Sequence, residues 1–146
     1  MISSMSAAKQ LCENLNWEIS NLSMQKMLYF AHMICLGRSD GGNPLIDRSF
    51  EAWDYGPVLP SVYHTAKVFG SDHVKNVFHS VSLPDEGVEK VAIQEATSLL
   101  KTKTAGELVA ITHWDEGAWA KYYRPGVRGI KIPNADIVDE YNNRLK

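Results

Sequence analysis

The chain has 146 residues, 45% of them hydrophobic and 22% charged, enough apolar side chain for one core and far from the charged, core-poor composition of a disordered segment. Fifteen Lys and Arg against 17 Asp and Glu leave a net charge of -2, so no global field draws the chain onto a phosphate backbone. No apolar run approaches the roughly 18 residues of a membrane span, no basic-then-apolar leader opens the chain, and the two cysteines, Cys12 and Cys35, are too few for a disulfide framework. A cytoplasmic protein with free, buried thiols is expected.

In chain order, a first helix is predicted from the Ser3 to Ser6 region through Leu11 and Leu15, ending around Asn14, Asn16 and Trp17. A second begins after Ser20 or Asn21, carries Met24, Met27, Leu28, Ala31 and Cys35 at helical spacing, and is predicted to stop at Gly37. Asp40 to Pro44 reads as a loop. Leu45-Ile46 and Phe50 to Trp53 read as two extended segments joined by a turn at Asp47-Arg48, a small hairpin ending in Tyr55-Gly56-Pro57.

Pro60 suits the first turn of a third helix, with Val62, Tyr63, Ala66 and Phe69 on one face before Gly70. A short helix is expected from Asp72 to Phe78. Asp85 is placed as the cap of a longer helix whose Val88, Val91, Ala92, Ala96, Leu99 and Leu100 form an apolar stripe directed at the core. Thr104 and Glu107 stand at capping-box spacing, which starts another helix containing Leu108 and Ile111. Ala118 to Tyr123 reads as a short helix closed by Pro125-Gly126, and Gly129 to Ile132 as an extended piece able to join the hairpin. Pro133 opens a last helix with Ile137, Val138, Tyr141 and Leu145 on one side. The expected fold is a mainly α, single compact domain over residues 1–146 with a hairpin or three-stranded β element.

Three stretches, taken in order, carry a family resemblance: Met24-Gln25-Lys26-Met27-Leu28-Tyr29-Phe30-Ala31; Phe50-Glu51-Ala52-Trp53-Asp54-Tyr55-Gly56-Pro57-Val58 with Val62-Tyr63; and Thr112-His113 with Trp119. Together they resemble the Panacea (SocA-like) antitoxin domain of toxin-antitoxin systems, over roughly residues 7 to 142. The middle stretch is the most specific, since an extended Glu-Ala-Trp followed by Gly-Pro-Val is uncommon by chance. The resemblance implies a helical domain with a small β element, and a type II antitoxin that binds a cognate protein toxin encoded nearby. Some members of the family act as adaptors delivering the toxin to a cellular, energy-dependent protease, while others inhibit directly. The chain ends soon after Tyr141, so a separate DNA-binding domain is not expected.

Lys26, Tyr29, Glu51, Trp53, Gly56, Pro57, His113 and Trp119 are the family-motif residues, and all are assigned structural work. Large aromatics are more often buried than displayed, so Trp53 and Trp119 are assigned to the core, and Met24, Met27 and Met33 to its filling. Asp54, Tyr55, Tyr63, Tyr122, Tyr123 and Arg124 remain as candidate partner contacts. Rigid aromatics and arginines are the side chains that dominate protein interfaces.

No Gly-x-Ser-x-Gly turn, P-loop, CxxC pair or HExxH spacing occurs, so catalysis, a metal and a cofactor are not expected. His113 reads as a lone structural histidine. A DNA-binding transcriptional regulator, using the cluster of Trp114, Trp119, Tyr122, Tyr123, Arg124 and Arg128, is the alternative from a different class; the mildly acidic charge argues against nucleic acid.

Overall fold

In the computed structural model, which describes residues 1–146, helix α2 (Asn21–Arg38) is the axis around which the rest is built. It follows α1 (Ser4–Asn14) and precedes the strands β1 (Glu51–Trp53) and β2 (Gly56–Val58). Next come α3 (Pro60–Ala66), α4 (Val88–Leu100), α5 (Ala105–Thr112), α6 (Ala118–Tyr122) and α7 (Asn134–Arg144). The fold is mainly α with a minor antiparallel β element.

Twelve of the 18 residues of α2 are buried, and the helix packs against α1, α3, α4, α5, α7 and β2. A helix enclosed on every side needs no single apolar stripe, but each buried polar side chain on it needs a partner. Gln25 Oε1 accepts the Leu59 amide at 2.8 Å, Lys26 Nζ donates to Pro57 O at 2.9 Å, and the Tyr29 hydroxyl donates to Glu140 Oε1 at 2.7 Å. The Ile46 amide donates to His32 Nδ1 at 3.3 Å, which fixes the neutral tautomer with its proton on Nε2, facing Asn134 Oδ1 at 3.1 Å. These four residues tie α2 to the hairpin, α7 and the 45–50 segment. Around them lies an apolar cluster of 32 buried residues drawn from every helix.

The helix starts follow their caps. Ser3 Oγ accepts the Ser6 amide and Ser20 Oγ the Ser23 amide, and the Thr104–Glu107 capping box is formed in both directions, at 3.1 and 2.9 Å. Left-handed backbone at Asn16 and Trp17 turns the chain out of α1.

Several expectations are corrected. The hairpin is one element later than predicted: β1 pairs with β2 in the register Glu51 to Val58, Ala52 to Pro57 and Trp53 to Gly56, so the turn is Asp54-Tyr55 rather than Asp47-Arg48. Leu45-Ile46 instead meets the N-terminus, where the Ile2 amide donates to Leu45 O. The 129–132 piece does join the hairpin, through Ala52 N to Ile130 O and Ile132 N to Phe50 O.

Residues 72–78 form no helix. The Val74 amide is taken by Ile19 O, and the Asn76 side chain accepts the Phe78 amide, a local bond that competes with helix. Buried Val74 and Phe78 merely share the spacing of a helix face.

Asp85 caps nothing; Gly87 is the N-cap of α4. Within α4, Ala92, Ile93, Ala96 and Leu100 face the core, whereas Val88, Val91 and Leu99 are exposed, as is Leu145 at the end of α7. Nor does Gly37 end α2, which continues to Arg38. A Cβ there would lie 2.1 Å from the ring of Tyr141, so glycine is needed for the α2–α7 approach rather than as a stop.

Candidate functional site

The two-residue turn of the hairpin projects Tyr55, which is 69% exposed, from a base held on three sides. Beneath it Trp53 is buried: its indole N–H donates to Glu51 Oε1 at 2.9 Å, and its carbonyl accepts the Trp119 indole N–H at 2.8 Å. Beside it Asp54 Oδ1 accepts the Tyr123 hydroxyl at 2.6 Å and the Gly126 amide at 3.2 Å. The Tyr123 bond first, then the Gly126 amide, holds this carboxyl below its ordinary range. Glu51 Oε1 also accepts the Gly129 amide at 3.1 Å, so both acids near the tip are engaged inside the protein.

Gly56 follows the turn with φ at +110°, and a Cβ there would lie 2.7 Å from Thr112 Oγ1 and 3.1 Å from Lys26 Cε. Glycine is therefore required twice over, for the left-handed backbone and for the close approach to α2 and α5. Lys26 is fully buried, and burial brings its ammonium down from 10.5 to about 7. The ring of His113 stacks on Trp119 at 3.9 Å, and Trp119 stacks on Tyr123 at 4.5 Å. Burial, then the charge of Lys26, lowers the His113 imidazole. A column of three rings thus runs under the tip and supports it.

Beside the tip, a groove of about 310 Å³ is lined by Trp53, Asp54, Tyr55, Val58, Tyr63, Lys67 and Arg128, among others. Tyr63 meets the Trp53 ring edge-on at 4.9 Å, and the Arg128 guanidinium lies 4.0 Å above the same indole. Of the six candidate contacts, Asp54, Tyr55 and Tyr63 share this groove, and Tyr123 is joined to it through Asp54. Tyr122 is turned to α7, donating its hydroxyl to Asp136 Oδ2 at 2.5 Å, and the exposed Arg124 donates to the Tyr123 carbonyl. Neither lines the groove.

Arg128, Lys67 and Glu140 lay outside the six candidate contacts, Arg128 having been named only in the aromatic and basic cluster of the nucleic-acid alternative. Lys67 follows α3 in a 3-10 turn, with nothing in its local sequence to mark it. Glu140 is 1% exposed and gathers Tyr29, the Ala118 amide at 2.9 Å and Arg144 Nε at 2.8 Å, fixing α6 and α7 to α2. The only signal for it was indirect: a buried tyrosine hydroxyl requires a partner.

A second groove, of about 450 Å³, lies between α2 and α4, with Ile34, Cys35, Val88 and Val91 in its wall. Ile34 is 12 residues beyond Leu22, which lines the first groove, and at the helical rise this separates them by about 18 Å along α2. No three His, Cys, Asp or Glu side chains converge as a metal-ligating group, and no helix is long and apolar enough to cross a membrane.

The family description "Antitoxin SocA-like, Panacea domain" matches residues 24–120, from the start of α2 through the hairpin to Trp119 and α6. The chain belongs to this family. It is 35% identical over 148 aligned positions to Antitoxin SocA of Caulobacter vibrioides (strain NA1000 / CB15N), covering 87% of this chain and 74% of that protein. No solved structure matches it. The matched segment of this SocA-like protein holds the tip, Lys26 and the His113 and Trp119 rings of the column, whereas Tyr123, Arg128 and Glu140 lie beyond it.

Proposed function

We propose that this protein is the antitoxin of a type II toxin-antitoxin pair and neutralises a cognate protein toxin by direct contact, with the hairpin tip and its groove as the docking surface. Membership of the SocA-like family supports the antitoxin role. The observation that carries the choice of surface is Tyr55, an exposed aromatic on a turn whose neighbours Trp53, Asp54 and Gly56 are all fixed. A preorganised aromatic of this kind loses little conformational entropy on binding. The action is stoichiometric, not catalytic. The setting is cytoplasmic, where the free thiols of Cys12 and Cys35 stay reduced.

The test is co-expression with the protein encoded next to it, scored by growth and by co-purification. Rescue with a stable complex that Tyr55→Ala weakens supports the proposal; a harmless neighbour that does not co-purify sinks it.

The second groove favours an additional reading, that of an adaptor holding the toxin at one end of α2 and a protease at the other. Val91 is half exposed in that groove. On this reading Val91→Glu leaves toxin binding intact and stops toxin clearance, and rescue disappears in a protease-deficient host. A DNA-binding role would instead give a salt-sensitive gel shift on the upstream sequence.

A further inference from the structure

The groove at the hairpin tip has a charge character opposite to that of the whole chain. The protein carries a net charge of -2, yet the groove lining holds two cations, Lys67 and Arg128, against one carboxylate, Asp54. That carboxylate already accepts the Tyr123 hydroxyl and the Gly126 amide. The molecule's ion pairs engage Met1, Arg38, Lys90, Lys121 and Arg144; neither Lys67 nor Arg128 takes part in one. Both are exposed. Arg128 is nonetheless held in place by stacking over Trp53, and a stacked guanidinium keeps its in-plane N–H donors for a planar acceptor such as a carboxylate. The rest of the wall is Leu22, Val58, Trp53, Tyr55 and Tyr63, with Gly70 and with Asn21 and Gln25, whose side-chain amides are bonded to each other, to the Tyr63 carbonyl and to the Leu59 amide.

We infer that the partner segment received by this groove is an acidic, amphipathic peptide, placing a carboxylate on Arg128 and Lys67 and an apolar side chain against Tyr55 and Tyr63. The inference rests on the reading above that this groove docks the toxin. A nucleic-acid backbone is disfavoured, because phosphate binding is built from many cations, whereas here only two flank a trough that also holds the Asp54 carboxylate. The positive lining on an otherwise acidic protein also directs an acidic segment to this groove rather than to the remaining surface.

The experiment measures binding of the co-purified neighbouring protein to the full chain and to Arg128→Glu, Lys67→Glu and Tyr55→Ala, at salt of about 50 mM and about 500 mM. Circular dichroism and thermal melting of each variant confirm folding. Each charge reversal is expected to weaken binding by about tenfold or more at low salt, with a smaller loss at high salt, while the loss from Tyr55→Ala changes little with salt. If Tyr55→Ala weakens binding and both reversals leave it unchanged or tighter, the groove docks the toxin but the acidic-segment inference is overturned. Should Tyr55→Ala also have no effect, or no complex form, the docking reading itself falls and the inference with it. A fluorescent single-stranded oligonucleotide that binds the wild type and is lost on Arg128→Glu would assign the cations to phosphate, which also overturns the inference.

Discussion

Replacing Lys26 by Met isolates the energetic consequence of a buried ammonium. Burial lowers Lys26 from 10.5 to about 7. Between those values the unfolded chain holds a proton on this residue that the folded chain does not, so stability rises with pH across the window. Each pH unit there is worth about 1.4 kcal/mol, or about 4 to 5 kcal/mol over the whole interval. Below pH 7 both states are protonated and the burial cost is borne in full. Above 10.5 both are neutral and it vanishes.

Lys26→Met removes that dependence but leaves the Pro57 carbonyl without its donor, a pH-independent loss of about 1 to 3 kcal/mol. The variant is therefore expected to be more stable than the wild type at pH 6 and less stable at pH 10. Urea unfolding of both proteins at pH 6, 8 and 10 measures this directly. A stability difference that stays constant with pH would refute the reasoning, since Lys26 would then titrate as a solvated lysine.

His32 gives a dependence in the acid range. Burial lowers its imidazole from 6.5 to about 4, partly opposed by its bond to Asn134, so stability is lost as pH falls from 6.5 towards 4, by about 3 kcal/mol. In His32→Gln this component should be absent when urea midpoints at pH 7 and 4.5 are compared with those of the wild type. Gly37→Ala is expected to cost about 1 to 3 kcal/mol by overpacking, because the new methyl meets the Tyr141 ring; a melting temperature equal to that of the wild type would show that the ring yields freely.

Much of the helical frame was legible because its signals are local. The capping box at Thr104 and Glu107 and the Ser20 cap need only a few residues to form, and both are present. Features set by distant chain were not legible. Val74 and Phe78 share a helical spacing, yet Ile19, far away in sequence, takes the Val74 amide and draws the segment out. Val88, Val91 and Leu99 complete an apolar stripe on paper, but α4 is contacted over a narrower arc than the stripe covers.

The same division holds at the site. Tyr55 and Tyr63 were named as candidates from residue type, and the hairpin turn and α3 bring them to one groove. Lys67 reaches that groove only through the 3-10 turn after α3. Glu140 looks like a solvated helix residue until Tyr29, 111 positions earlier, is seen to donate to it.

The brevity of the β1–β2 connection bears on how such a protein changes allegiance. With two residues in the turn and strand register locked by the 129–132 segment, lengthening the loop would shift Gly56 away from the one place where its missing side chain admits Lys26 and Thr112. Asp54 is similarly committed to Tyr123 and Gly126. Position 55 alone is unencumbered on this turn. On the docking surface proposed above, divergence toward a new partner would be channelled into exchange of that one side chain and of the cations flanking it, with the scaffold beneath left unaltered.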